Sequence, residues 1–391
     1  MSFEQKAFKI NWSWHSRAFR GIVYQLLTVA LLTAAVLYLV HNTRLNMQMR
    51  GIQSGWDFLL GSAGFDIGES LFPFDSSQPY WQAYLVGFSN TLRVAVLGIA
   101  ITTVLGTLIG VGRFSANVLV RGLCICYVEM FRNIPVLLQL LMWYVFLTEM
   151  LPGTTEPLSL GHFYLSKGGF NYPVPVWNAA YLASAAGMVA GVVLAAWYRR
   201  KAKQRFEQTA TPASRVAVPL LIVLAGTFAG WLAGGAPTAL DLPVRGEFAV
   251  ENGAALTPEF MAVLLGLTFY TSAFVAEVVR AGIASVAHGQ AEAAMALGLT
   301  RMQTMRLVTL PQALRVIIPP MTNQYLNLTK NSSLAVAIGY PDVVSIANTA
   351  INQTGRAVEC IGLVMLVYLS TSLLTSVGMN WYNRSSTVQE R

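Results

Sequence analysis

The chain has 391 residues, of which 54% are hydrophobic and only 11% are charged, and its formal net charge is +8. Soluble domains carry about 25% charged residues, so a chain this poor in charge cannot cover a globular surface with water-binding groups. The composition excludes the soluble classes and indicates a protein that crosses a membrane several times. The basic residues concentrate in short loops between apolar segments, which argues against a nucleic-acid surface.

Apolar segments long enough to cross a bilayer, about 18 residues or more, recur along the chain. The first is followed by no small-residue cleavage site, so it is predicted to be an uncleaved anchor helix rather than a signal peptide. The predicted fold class is an all-α membrane protein with about eight transmembrane helices. The predicted spans are about 21–40, 84–111, 122–151, 177–198, 216–235, 258–284, 316–345 and 358–381.

The distribution of Lys and Arg predicts the orientation of these spans. If the N-terminus lies inside, the segments that face the cytoplasm hold 17 basic residues and the outer loops hold 5. Basic residues favour the cytoplasmic side of short loops. Both termini are therefore predicted to face the cytoplasm.

The spans define three domains: an anchor helix with a long outer loop at 1–83, a transmembrane domain at 84–381, and a cytoplasmic tail at 382–391. The outer loop is either a partly ordered interfacial stretch or a surface that docks a partner. Residues 153–257 form an insertion with two apolar spans joined by a basic loop. Both spans are predicted to face lipid or to pack closely through Gly and Ala.

The stretch EAAMALGLTRMQTMRLVTLP, at 292–311, predicts two short helices separated by a break. Gly298 tolerates a positive φ and suits a helix stop. Thr300 and Gln303 have the spacing of a capping box that starts a second helix, and this helix is predicted to end near Pro311. The pair is either an interfacial helix in the headgroup layer or a knob that docks into another protein. Its small Ala side chains favour docking.

The same stretch resembles the loop that marks permease subunits of ATP-binding-cassette (ABC) importers. That pattern is E-A-A, three residues, Gly, nine residues, Ile, one residue and Leu-Pro, and Val308 stands where Ile is usual. In that family the loop forms a coupling helix that sits in a cleft of the ATPase subunit. The residues that carry this resemblance are Glu292, Ala293, Ala294, Gly298, Val308, Leu310 and Pro311.

The stretch YVEMFRNIPVLLQ resembles the Y-x-x-x-F-R-x-x-P-x-L-x-Q signature of polar-amino-acid importers, the histidine- and glutamine-type permeases. The matching residues are Tyr127, Phe131, Arg132, Pro135, Leu137 and Gln139. The resemblance implies an ABC importer type I core of five helices, formed by the second, third and last three spans. The anchor helix and the insertion resemble the enlarged permease of general L-amino-acid importers. Such systems imply a bacterial inner membrane, a second and different permease chain, an ATPase subunit and a periplasmic binding protein.

The segment 316–345 carries an unusual cluster of polar residues, with Asn323, Gln324, Asn327, Lys330 and Asn331 inside nine positions. A Lys at this depth needs partners or a wet cavity. Hydrogen bonding between helices would explain any single Asn, but the whole cluster favours a water-lined path in which Lys330 meets a substrate carboxylate. The candidate path residues are Asn327, Lys330, Asn331, Ser332, Ser333 and Arg93.

Two charged pairs have simpler interpretations. Glu277 and Arg280 have the i, i+3 spacing of a structural ion pair. Glu359 near Arg356 could meet a substrate ammonium or form an ion pair in the outer leaflet.

These features bear on four possible functions. The favoured one is the permease subunit of an ATP-driven amino-acid importer; the alternatives are an ABC permease for another polar solute, an ion-coupled secondary carrier and a membrane enzyme. The sequence has no G-x-x-x-x-G-K-[ST] phosphate loop, so ATP is expected to bind a separate subunit, and this chain is expected to be no enzyme and to need no cofactor. Its four histidines are scattered, and no metal site is predicted.

Overall fold

A computed structural model describes residues 14–51, 54–209, 214 and 217–386 of the chain. Three of the basic residues predicted to face the cytoplasm, Lys6, Lys9 and Arg215, and the end of the tail, 387–391, lie outside these residues. The α-helices of the described residues are α1 (Arg17–Met49), α2 (Tyr80–Gly112), α3 (Val118–Asn133), α4 (Val136–Val145), α5 (Ala180–Thr209), α6 (Ala217–Ala233), α7 (Pro258–Ala284), α8 (His288–Ala296), α9 (Arg301–Thr304), α10 (Leu310–Asn331), α11 (Val343–Thr354) and α12 (Ala357–Ser386).

Short strands occur in the insertion, on both sides of α5 and α6. They are β1 (Leu158–Leu160), β2 (Phe163–Ser166), β3 (Gly169–Tyr172), β4 (Val174–Pro175), β5 (Leu240–Asp241), β6 (Val244–Arg245), β7 (Val250–Glu251) and β8 (Ala254–Leu256). β1, β2, β3 and β8 form one antiparallel sheet in that order, and β4–β5 and β6–β7 form two small pairs. The pairing of β3 with β8 joins the segment before α5 to the segment after α6, which closes the insertion at its base.

The helices confirm the predicted fold class of an all-α membrane protein. Five helices of the described residues are long and apolar enough to cross a membrane, and two bent helix pairs pass the same test, which gives up to seven spans. Helix α6 lies in the predicted span 216–235 and is apolar, but its 17 residues fall short of the length that this test requires. That α6 crosses the membrane, which would bring the number of spans to the predicted eight, stays a prediction. The predicted domain boundaries likewise stay predictions.

The third predicted span, 122–151, is broken rather than straight. Helix α3 ends at Asn133, and the helical segment Val136–Met150 that follows is bent by 104° relative to α3. Ile134 is extended, with φ −96° and ψ 128°, because the Pro135 ring disfavours the helical conformation in the residue before it. The apolar sequence continues through the break, so hydropathy alone does not detect it.

The prediction that the helix after Thr300 ends near Pro311 is wrong. A π-helical turn at Met305–Thr309 carries the chain from α9 directly into α10. Pro311 lies in the first turn of α10, directly after this π turn. The coupling-loop sequence is therefore continuous with the helix that bears Lys330.

Two compact units are described separately here. The first comprises Met1–Leu92 and Pro341–Asn380. Its apolar core joins the outer loop to helices α2, α11 and α12, with Phe58, Ala83, Val343 and Cys360 among the buried residues. The predicted outer loop is thus ordered over its described residues and begins with a 3-10 turn at Asp57–Leu60.

The second unit comprises Arg93–Tyr340 and Trp381–Arg391. Its core contains Val94 from α2, Leu140 from α4, Phe260 from α7 and Leu328 from α10, each at most 1% exposed. Leu140 packs so closely on α7 that a Cβ at Gly266 would lie 2.6 Å from its Cδ2. This packing holds the signature segment and the polar helix α10 on the same helix, α7.

Candidate coupling loop, signature bend and polar path

The predicted coupling loop has the local structure that its sequence indicates. Gly298 has φ +82° and open space where a Cβ would be. The turn therefore favours glycine because of its backbone conformation and not because space is lacking. The Thr300 N–H donates to Gln303 Oε1 at 2.8 Å, and the Gln303 N–H donates to Thr300 Oγ1 at 3.3 Å. This reciprocal pair is the predicted capping box, and it satisfies two N–H groups at the start of α9.

The loop exposes apolar side chains at its tip. Leu297 is 84% exposed and Met302 is 76% exposed, one on each side of the Gly298 turn. Glu292 and Ala293 are also exposed, whereas Ala294 is buried and packs inward. A tip of large apolar groups on a small-sided helix matches a knob for another protein.

Gln139 of the family signature is a structural residue. It is 1% exposed, and its side-chain amide donates to the carbonyls of Phe131 and Ile134, both at 2.9 Å. The break at Pro135 removes the helical partners of these carbonyls, and buried carbonyls without partners are costly. Gln139 therefore stabilises the bend between α3 and α4.

The aromatic residues of the signature hold α3 against α7. The Tyr127 hydroxyl donates to the Phe269 carbonyl at 2.9 Å and lies 2.6 Å from the Ser272 hydroxyl. The ring of Phe131 stacks on Phe269 with 5.5 Å between centroids, and Trp143 of α4 stacks on the same ring at 5.3 Å. Phe269 is thus held by rings from both arms of the bend.

Arg132 belongs to an ion cluster around Glu277. The predicted pair is confirmed, because the Arg280 Nη2 lies 2.6 Å from Glu277 Oε1. Arg113, at the end of α2, also pairs with Glu277, and the Arg132 Nη1 lies 3.9 Å from its Oε2. One carboxylate therefore connects the ends of α2 and α3 to α7, an arrangement that sequence spacing indicated only for Arg280.

The polar residues of α10 form a stripe along one face. Asn323, Asn327 and Lys330 are exposed, while Tyr325, Leu328 and Thr329 between them are buried. Their i, i+4, i+7 spacing places the three on the same side of the helix. Lys330 thus lies beside amide side chains on a face that the described residues of this chain leave open.

The remaining path candidates occupy different positions. The guanidinium of Arg93 lies 4.1 Å from the centroid of the Phe260 ring, a cation–π contact. Ser332 is buried and its hydroxyl donates to the Thr329 carbonyl at 2.7 Å, and the Ser333 hydroxyl donates to the Lys330 carbonyl at 2.8 Å. Asn331 is half-buried at the last position of α10. Both serines therefore cap the end of α10, and Asn327 and Lys330 are the predicted path residues that lie most openly.

Arg356 pairs with Asp57 of the outer loop, a partner far away in sequence. Its guanidinium forms a two-pronged contact with the Asp57 carboxylate, with 3.0 Å between Nη2 and Oδ2. Glu359 instead accepts the Gly55 N–H at 2.7 Å. Hydrogen bonding from Arg356 lowers the pKa of Asp57. This clasp ties the outer loop to the start of α12, and 299 residues separate Asp57 from Arg356, so local spacing carries no signal for it.

Comparison with known proteins identifies the family. Residues 102–386 match the family described as "Binding-protein-dependent transport system inner membrane component". The chain is 44% identical to the general L-amino acid transport system permease protein AapQ of Rhizobium johnstonii, over 97% of this chain and 96% of that one. It is 43% identical to the putative amino-acid ABC transporter permease protein YhdX of Escherichia coli, over 100% of both chains.

A third relative and a solved structure are less similar. The glutamate/glutamine/aspartate/asparagine transport system permease protein BztB of Rhodobacter capsulatus is 38% identical over 98% of this chain and 97% of that one. A crystal structure of an amino acid ABC transporter with histidines has a TM-score of 0.47 and 20% identity, over 78% of this chain and 95% of that chain. That likeness is too weak to support the assignment, which rests on the sequence matches. The resemblance inferred from the coupling-loop and signature residues is confirmed, and the chain belongs to the family of binding-protein-dependent transport system inner membrane components.

Proposed function

We propose that this chain is a permease subunit of an ATP-driven importer of amino acids. The observation that carries the proposal is the coupling loop, whose capped turn exposes Leu297 and Met302 as an apolar tip. Full-length relatives at 43–44% identity are named as amino-acid permeases, which supports the substrate class. The chain itself is a transport subunit and not an enzyme.

The loop around 289–311 provides the mechanical linkage in this proposal. Its tip would seat in a cleft of a separate ATPase subunit, which binds and hydrolyses ATP. Because the π turn at Met305–Thr309 continues into α10, a displacement of the tip would be transmitted along the helix that bears Lys330. Coupling would then require no contact between this chain and the nucleotide.

The translocation path would be completed by a second permease chain. The open stripe of Asn323, Asn327 and Lys330 supports this, because an exposed Lys in an apolar span is costly unless it is hydrated or paired. A water-filled path between two permease chains would hydrate it, and the ammonium would meet the carboxylate that amino acids share. A periplasmic binding protein would deliver the substrate to the outer end.

We further propose that the chain lies in the bacterial inner membrane with both termini in the cytoplasm. The excess of Lys and Arg in the loops that this orientation places inside supports it. The test is labelling of single-cysteine variants by an impermeant maleimide added to spheroplasts. Label at Leu160→Cys and none at Gln204→Cys is expected; label at position 204 from outside would contradict the orientation.

The functional proposal is tested by purifying the tagged chain from its native membrane with its associated subunits. An ATPase subunit and a second permease chain should co-purify. In proteoliposomes with internal ATP and external binding protein, the complex should accumulate amino acids. Uptake that follows an ion gradient without ATP would favour the secondary-carrier alternative instead.

A further inference from the structure

The inserted helix pair has a feature that the transport proposal does not use. Helices α5 and α6 pack against each other along a seam of small residues. A Cβ at Gly187 would lie 2.2 Å from the Gly226 carbonyl oxygen, and a Cβ at Gly230 would lie 2.3 Å from that of Ala183. The backbones are therefore in direct contact over this part of the seam.

The close contact ends at the loop-proximal end of the pair. A Cβ at Gly191 would still lie 2.9 Å from Val223 Cα, but Ala195 and Arg199 occupy the next two positions of the same stripe. Beyond Gly191 the helices enclose a groove of about 460 Å³, lined by Val192, Ala195, Ala196, Arg199, Pro219, Leu220 and Val223. This volume lies within the range of ligand pockets, ~300–1,000 Å³. All the lining side chains except Arg199 are apolar.

Charge concentrates at the same end of the groove. Arg199 is followed by Arg200, Lys201 and Arg205, and all four are exposed. The Lys201 ammonium lies 4.1 Å from the centroid of the Trp197 ring, an aromatic residue of the kind that lies at the membrane–water interface. Arg199 is also within the last turn of the apolar segment Ala180–Ala202. The groove therefore runs from an apolar part of α5 to a basic end, the pattern expected where a helix passes from hydrocarbon into headgroups.

We propose that this groove binds an anionic phospholipid, with an acyl chain along Ala195, Ala196 and Val223 and the phosphate against Arg199. The exposed Leu220 and Leu224 beside the groove are side chains suited to lipid, so an acyl chain can enter from the bilayer. A guanidinium recognises a phosphate through two parallel hydrogen bonds. Basic clusters next to a membrane helix attract anionic lipids.

A role of the basic residues in orienting the chain across the membrane does not by itself explain why Arg199 lies at the groove. Excess positive charge anywhere in this loop would favour its cytoplasmic placement, whereas Arg199 is itself one of the residues that line the groove. Gly191 is the last glycine of α5, and beyond it Ala195 and Pro219 line the groove. The lipid site combines a chain-sized groove with a charge at its mouth.

The test is phospholipid binding to the delipidated full-length chain, purified in detergent with its associated subunits and measured by native mass spectrometry. Dioleoyl phosphatidylglycerol should bind, and dioleoyl phosphatidylcholine should bind more weakly. Arg199→Gln should weaken phosphatidylglycerol binding about fivefold, the effect of one basic side chain near an anionic lipid. Ala196→Trp, which fills the groove at an exposed position, should abolish it.

Arg205→Gln is the matched control. It lies about 9 Å further along α5, beyond the ~8 Å screening length at physiological salt, so phosphatidylglycerol binding should change less than about twofold. Equal binding of the two lipids, equal loss in the two arginine variants, or unchanged binding in Arg199→Gln would overturn the proposal. Unchanged binding in Ala196→Trp would overturn the placement of the acyl chain in the groove. Gel filtration with the partner subunits verifies that each variant is folded.

Discussion

The side-chain amide of Gln139 donates to the main-chain carbonyl of Phe131 at 2.9 Å, across the break that separates α3 from α4. Both residues belong to the signature that identified the family, and their relationship gives that signature a structural reason. Pro135 produces the bend, Gln139 satisfies the carbonyls that the bend leaves, and Phe131 stacks on Phe269 of α7. The signature thus stabilises the bend between α3 and α4 and its packing against α7.

Gln139→Met should destabilise the protein, because methionine has similar length but no N–H groups for the carbonyls of Phe131 and Ile134. Leaving a buried carbonyl without a partner costs about 1–3 kcal/mol. Thermal unfolding of the detergent-solubilised complex measures this as a lower midpoint. Gln204→Met, at an exposed position of α5, is the control, and equal midpoints for the two variants would show that the amide does not support the bend.

Gly298→Asp should uncouple transport while the protein still inserts into the membrane. Any Cβ strains a backbone at φ +82°, and a carboxylate at the turn would disturb docking of the tip. Uptake and substrate-stimulated ATP hydrolysis should both fall by about tenfold or more, since allosteric coupling energies are typically ~1–3 kcal/mol. Gly64→Asp in the outer loop is the control, because Gly64 has φ +70° and equally open surroundings. Wild-type uptake by the Gly298 variant would remove the coupling role.

Lys330→Met should depress the uptake of all transported amino acids by similar factors while the complex stays assembled. The reason is that Lys330 would meet the carboxylate that every amino acid carries, so it cannot select among side chains. Lys330→Arg keeps the charge and should retain more uptake than the Met variant. Uptake assays with several radiolabelled amino acids measure this. Loss of assembly, or unchanged uptake, in the Met variant would move the search for the path to Arg93.

The clasp between Asp57 and Arg356 should break in acid and should not change when the pH rises moderately above neutral. Hydrogen bonding from Arg356 lowers the pKa of Asp57 below its ordinary value of 3.8. A carboxyl whose pKa is lowered by folding stabilises the folded state. This stabilisation is complete at a pH above the ordinary pKa, and it disappears as the pH falls through the lowered pKa. The outer loop should therefore keep its order from neutral pH down to about the ordinary pKa of an Asp and lose it below.

Hydrogen–deuterium exchange of residues 54–60, corrected for intrinsic rates, measures this order. Asp57→Asn should show the faster exchange already at neutral pH. Asp75→Asn is the control, because hydrogen bonds from the neighbouring Ser77 lower the pKa of Asp75 without involving Arg356. Identical exchange in the wild type and Asp57→Asn at neutral pH would show that the clasp does not order the loop.

Local features of the fold could be predicted from sequence because they depend on residues that are close in the chain. The cap formed by Thr300 and Gln303, the positive φ of Gly298 and the pair of Glu277 with Arg280 are of this kind. Each involves positions within four residues, where spacing alone determines which side chains meet. The apolar spans are similarly visible, because a bilayer requires a minimum length.

Features that depend on distant residues or on the path of the backbone could not be predicted in this way. Spacing suggested for Arg356 either an ion pair with Glu359 or a site where Glu359 meets a substrate ammonium, but its guanidinium binds Asp57 at a separation of 299 residues. The 104° break in the third span leaves the hydropathy unchanged. The end of the helix at Pro311 was wrong because a π turn, which has no strong sequence signal, carries the chain past the proline.

The most direct test of the coupling role is a photo-crosslink from the tip of the loop. Benzoylphenylalanine placed at Leu297, which is 84% exposed, should form an adduct with the ATPase subunit when the complex is irradiated in native membranes. The same group at Leu160, which is 81% exposed in β1, should give no such adduct, because that strand is proposed to lie outside. Absence of an ATPase adduct from position 297, or its appearance from position 160, would contradict the account.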